Sequence, residues 1–156
     1  MSSLSALLTG RGAHVEITNV LEALDLNSLT RRPQGAPHSI YEELWHAAFW
    51  QDLVLAWIDG DDVPAPDHAA DSWPESNGPV AADDAEASIQ RFSQGIERAR
   101  QVASDPSRLD LIVRKSRTAR DLLESLLAHN AYHVGRMVLL RQLLGLWPPP
   151  SGGDTW

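Results

Sequence analysis

The sequence contains no cysteine. That excludes a disulfide scaffold, a thiolate nucleophile and any Cys-ligated zinc or iron–sulfur site, so a metal must be held by His, Asp or Glu. No apolar run approaches the roughly 20 residues that span a bilayer, and no membrane partner is expected. The opening MSSLSALLTGRGAH lacks the basic start and continuous apolar stretch of a secretory signal, so the expected location is cytoplasmic. Positive charge is also scarce. Thirteen Lys and Arg against 21 Asp and Glu give a net charge of −8. Such a chain repels phosphate backbones unless its cations are gathered in one place, which argues against nucleic acid as a partner.

What is present fits one globular domain over residues 1–156, long enough to bury one core. Charge is unevenly placed. Residues 59–90 carry nine carboxylates and no Lys or Arg, whereas residues 91–120 carry eight basic residues and three acidic ones. The plainer reading is a solvated surface with ion pairing within or between subunits. The sharper one is a small anion-binding face on the Arg-rich part.

Four helices are expected. The first covers 3–25, with Leu4, Leu7, Leu8, Val15, Val20, Leu21 and Leu24 as apolar positions and Gly10 and Gly12 weakening it. It ends before a polar stretch, Asn27–Pro37. The second opens on a capping box, Ser39 with Glu42 three residues on, and stops at Gly60. The proline-rich segment 60–82 reads as a long irregular connection. The third helix spans 83–104, and 107–117 reads as a short extended piece. The fourth starts at the Thr118–Asp121 box and continues to about Leu146, before Trp147-Pro148-Pro149-Pro150. Together these describe an all-α fold, a four-helix bundle. The long crossover between helices two and three allows an up-down-down-up course.

On helix four, Leu126, His129, Asn130, His133, Met137, Leu140 and Leu144 follow the spacing of one helical face, which puts His129 and His133 on the core-facing stripe. Residues four apart project side by side, with Cβ atoms about 6 Å apart, so two imidazoles can chelate one ion. A buried imidazole without a partner costs roughly 1–3 kcal/mol per unpaired group. An H-x3-H alone is common, and each His is equally satisfied by a carbonyl or carboxylate. His46 alters the balance. It shares the inward face of helix two with Phe49, Trp50 and Leu53, and three inward histidines on two helices are best explained by a metal.

The segments LWHAAFWQD, HNAYHVGRMVLLRQLLGLW and LLTGRGAH resemble the DinB-like (DinB/YfiT) superfamily of metal-binding four-helix bundles. The resemblance maps the family's metal triad onto His46, His129 and His133. It implies a cytoplasmic bacterial protein, often a homodimer. Members of the family include transferases and isomerases that use low-molecular-weight thiols.

Three neutral nitrogens leave a divalent transition metal (Zn, Ni, Cu or Fe) an open position, as in catalytic zinc sites. HNAYH has the spacing of the metalloprotease HExxH, but Asn130 stands where the general base would be, so that route to hydrolysis is closed. Glu43 before His46 and Asp52 after it are the nearest carboxylates on either side in sequence, as base, orienting partner or surface charge. A thiol reaction asks least of the protein, because the thiolate itself is the nucleophile. The leading expectation is a metal-dependent transferase acting on a small-molecule substrate, with a non-catalytic metal-binding stress-response protein and a metal-dependent hydrolase as rivals. His38 and His68 are expected in exposed loops. His14 is a minor candidate for the pocket. Trp45, Trp50 and Trp57 serve the core, an interface or a pocket wall.

Overall fold

The two capping boxes read from the sequence start the two helices that carry His46, His129 and His133. The computed structural model describes residues 3–153. In it, Ser39 Oγ accepts from the Glu42 amide at 3.2 Å and Glu42 Oε2 accepts from the Ser39 amide at 2.6 Å. Thr118 and Asp121 exchange the equivalent bonds at 3.2 and 2.7 Å. Each pair satisfies two of the orphan donors at a helix N-terminus.

Three short helices, α1 (Ser3–Leu7), α2 (Ile17–Leu21) and α3 (Leu26–Thr30), precede the long α4 (Ile40–Asp59). A connection with one 3-10 turn (Ala69–Ser72) leads to α5 (Ala82–Ala103). Then follow α6 (Pro106–Leu109), the antiparallel hairpin β1 (Ile112–Arg114) and β2 (Arg117–Thr118), and α7 (Ala119–Leu143). The fold is mostly helical, as expected, and no described helix is long and apolar enough to cross a membrane.

The continuous helix expected over 3–25 does not form. Gly10 and Gly12 take φ of +91° and +80°, outside the right-handed helical region, and Ala23 follows at +54°. The chain turns back there, with the Ile17 amide donating to Thr9 O at 3.0 Å. The polar stretch after it is partly helical. Asp25 caps α3 by accepting from the Ser28 amide at 2.8 Å, while Ser28 Oγ accepts from the Asp25 amide at 2.7 Å. The extended piece expected over 107–117 is α6 plus the first strand of the hairpin. α7 stops at Leu143, short of the prolines, where Gly145 takes φ +70°. Buried Arg141 donates to Val20 O, Glu22 O and Leu146 O at 2.7–3.1 Å, which ties the N-terminal segments to that end.

The connection runs back along α4 and is pinned to it three times. Trp57 Nε1 donates to Val63 O at 2.7 Å, His46 Nδ1 to Ser72 O at 2.8 Å, and Ser39 Oγ to Asn77 O at 2.7 Å. The apolar core divides into two clusters. One joins Leu44, Phe92, Val134 and Met137 with α2 and α3; the other joins Leu55, Ala99, Leu122 and Leu126 with α1. Between them lies a buried polar step, in which Gln51 donates to Phe92 O at 2.9 Å and accepts from Asn130 at 3.2 Å. Gly95 makes room for it, since a Cβ there falls 1.9 Å from Gln51 Nε2. The three histidines stand at this same level of α4 and α7.

Candidate metal centre

His46 from α4 and His129 and His133 from α7 converge. One nitrogen from each lies within 4.8 Å of the other two, and His46 Nε2 and His129 Nε2 are 3.3 Å apart. Helical periodicity does this work: His129 and His133 are one turn apart on α7, and the buried stripe containing Asn130, His133 and Met137 faces α4.

Two of the rings are fixed from behind. The Ser72 carbonyl can only accept, so His46 carries its proton on Nδ1 and presents a bare Nε2. His133 Nδ1 donates to Glu43 Oε2 at 2.7 Å, which likewise frees its Nε2. Glu43 is fully buried, and its other oxygen accepts from Arg136 Nε at 2.8 Å and from His38 Nδ1 at 3.0 Å. A carboxylate behind a ligating imidazole is the usual outer support of metal sites. His129 has no such support, and its buried Nδ1 lacks a hydrogen-bond partner. Trp73 stacks on His46 with centroids 4.0 Å apart and on His38 at 3.8 Å, sandwiched between the two rings.

The electrostatics favour neutral imidazoles. Burial, then the neighbouring charges of His133 and His46, push His129 down to about 4. Burial also lowers His46, against a smaller opposing effect of the Ser72 carbonyl. Burial alone raises the Glu43 carboxyl, but the His133 hydrogen bond and the Arg136 charge outweigh it and hold the group below its ordinary value. Neutral His beside an ionised carboxylate is the protonation state that metal ligation needs. The His46–His129 pair at 3.3 Å also fits an ion by size, since two nitrogens bound tetrahedrally at about 2.0–2.1 Å stand roughly 3.3 Å apart.

A cavity of about 630 Å³ opens beside the triad, walled by Trp50, Val54, Trp57, Trp73, Leu122 and Leu126, with Tyr132 at its edge. No Asp or Glu lines it. Its size and mostly apolar wall are those of a small-molecule site.

The structure sorts the remaining candidates. Glu43 joins the site as an orienting group. Asp52 does not, since it pairs with Arg91 at 2.7 Å and lies off the cavity wall. Asn130, where HExxH has its base, turns to Gln51. His14 bonds the Val15 carbonyl at 2.8 Å and does not line the cavity. His68 is exposed as expected, but the expectation for His38 is corrected: it is half-buried, held by Glu43 and Trp73. Trp50 and Trp57 wall the cavity, whereas Trp45 stacks on Phe49 instead. Sequence reasoning missed Ser72, Trp73 and Arg136. A lone Trp in a polar, proline-rich segment was the available signal for Trp73, and the i+3 spacing from His133 was the signal for Arg136.

The profile of the DinB superfamily matches residues 12–137, most of the chain and all three histidines. The chain belongs to the DinB superfamily. No curated protein and no solved structure matches it. The three histidines that could hold an ion all lie within the matched residues.

Proposed function

We propose that His46, His129 and His133 hold a divalent transition metal, zinc, nickel or iron, and that the protein is a metal-dependent transferase joining a low-molecular-weight thiol to a small molecule. The observation that carries this reading is three imidazole nitrogens converging at one end of a cavity that no carboxylate lines. Hydrolysis needs a base beside the attacking water. Asn130 is turned away and Glu43 is already held by three donors. Thiol transfer needs no such base. A metal bound there lowers the pKa of a thiol and polarises the group under attack.

The chain's own residues do the rest. Ser72 O and Glu43 hold two imidazoles at fixed rotation, and the Trp50 and Trp73 rings keep water from the reacting atoms. Tyr132, whose hydroxyl accepts from Arg136 at 3.0 Å, retains its own O–H for a substrate. The reading includes a four-helix bundle with an up-down-down-up course. Asp52 pairs with Arg91 and Asp59 with Arg98, the same step along both helices, which supports a parallel α4 and α5. It also includes a cytoplasmic homodimer, for which α7 offers an exposed stripe of Tyr132, Leu139 and Leu143.

Elemental analysis of protein purified without added metal, beside its His46→Ala and His133→Ala variants, tests the site. Each variant is expected to lose more than the roughly 100-fold seen at most for outer-shell changes. Unchanged metal content in both variants overturns the reading. Conjugation of small thiols to an aryl halide, run against ester hydrolysis, then tests the transferase assignment.

A further inference from the structure

The cavity has a second pole. α4 and α7 present residues to it in opposite order: His46, Trp50, Val54 and Trp57 along one, His133, His129, Leu126 and Leu122 back along the other. At about 1.5 Å per residue the trough is roughly 16 Å long. The histidines occupy one end, and the β1–β2 hairpin closes the other. Arg117 enters the wall there, with Nη2 donating to Asp121 O at 2.8 Å and to Ser125 Oγ. Its Nε and Nη1 have no partner among the described residues. The Arg114 guanidinium lies 3.9 Å from the centroid of the Trp57 ring, on the same end of the trough.

These cations differ from the arginines around them on α5, α6 and α7. Arg91 is paired to Asp52, Arg98 and Arg108 to Asp59, and Arg120 to Asp110. Among the described residues Arg114, Lys115 and Arg117 form no ion pair. Three cations without an ion pair of their own on one short hairpin, in a protein of net charge −8, are poised for an anion from outside. Each of the two free nitrogens, Nε and Nη1, can donate a charge-assisted hydrogen bond to a carboxylate oxygen.

We propose that the cavity takes an amphiphilic carboxylate, its apolar body along the Trp50–Leu126 trough and its carboxylate on Arg117, with Arg114 and Lys115 adding charge from the same hairpin. Ser125, which holds the guanidinium, stands one turn before His129 and two before His133. The carboxylate therefore lies roughly 6–12 Å from the histidine end, the span of a phenylalkanoate or a medium-chain alkanoate. The assignment deepens the functional reading above by naming the substrate class of the same cavity, and its carboxylate subsite needs no metal.

Titration calorimetry with phenylbutyrate and the matching alcohol phenylbutanol tests it, on protein as purified and after chelation. Phenylbutyrate is expected to bind about tenfold more tightly than the alcohol. In Arg117→Gln that preference falls to near unity while alcohol binding is kept. Lys115→Gln, on an exposed side chain, loses about twofold, and the ion-paired Arg120→Gln none. Equal affinities in the parent protein, binding of neither compound, or a preference that survives Arg117→Gln overturns the proposal. A preference that survives Arg117→Gln but vanishes on chelation puts the carboxylate on the histidine end, which refutes this assignment and supports the metal reading. Absence of metal binding with the Arg117-dependent preference intact does the reverse.

Discussion

The helix pair α4–α7 and the connection between α4 and α5 build one candidate metal centre by different rules. The helices contribute the three histidines through a repeat that the sequence displays: inward positions on α4, and His129 and His133 one turn apart on α7. The connection contributes none of them. Through Ser72 and Trp73 it sets the tautomer and tilt of His46, across a separation of 26 residues that no local pattern encodes. Periodic segments thus bring the nitrogens together, and an aperiodic one decides how a nitrogen points. Glu43 complicates the division, because it is on α4 yet orients His133 of α7 from a fully buried position.

If the helix pair carries most of the site, Glu43→Gln has the largest effect among residues that are not ligands. The amide leaves Arg136 without its anion and weakens the hold on His133 Nδ1. Zinc affinity, read by competition with a chromophoric chelator, is expected to fall about 10–100-fold. An affinity equal to that of the parent breaks the claim that the carboxylate supports the site.

The helix pair also predicts a pH dependence for the metal-free protein. His46 and His129 are both held below their ordinary 6.5, His129 near 4, chiefly by burial. Between those limits the unfolded chain binds protons that the folded chain does not. Stability is therefore fully present above about pH 6.5 and is lost as pH falls toward 4, and the lowered Glu43 continues the loss at the acid end. Urea unfolding of chelated protein at two pH values in that window should differ by on the order of 2 kcal/mol, discounted for the partial exposure of His129. Stability that is flat or rises on acidification contradicts the burial of these rings.

How much was legible follows the same line. Ser39, Glu42, Thr118 and Asp121 announce α4 and α7, and the stripe through His129, Asn130 and His133 announces the centre. One helix is expected over residues 3–25 because Gly10 and Gly12 look like tolerable costs of about 1 kcal/mol each inside it. In fact both take a positive φ, as Ala23 does further on. The polar neighbours of His38 point to an exposed loop, whereas its partners, Glu43 and Trp73, are supplied by other segments. Long-range partners have no periodicity to reveal them.

The connection's own share is tested by Trp73→Ala. The indole stacks on His46 and His38 together, and aromatic pairs of this kind contribute about 0.5–1.5 kcal/mol beyond area burial. Zinc affinity should fall roughly 2- to 12-fold, less than for Glu43→Gln. A larger loss from Trp73→Ala than from Glu43→Gln reverses the ranking of the two regions.

The smallest effect is expected at Asp52, the other carboxylate close to His46 in sequence. Its pair with Arg91 joins α4 to α5 on the outside of the molecule, with side chains 41% and 39% exposed. An exposed pair of this kind contributes about 0–1 kcal/mol, and Asp52 has no contact with a histidine of the triad. Asp52→Asn should lower the thermal midpoint slightly, more at low salt than at high, and leave zinc affinity within about twofold. A tenfold loss of zinc affinity in this variant, with the fold intact, means that the α4–α5 face is coupled to the centre. In that case α5, which supplies no ligand, would have to be counted with the helix pair.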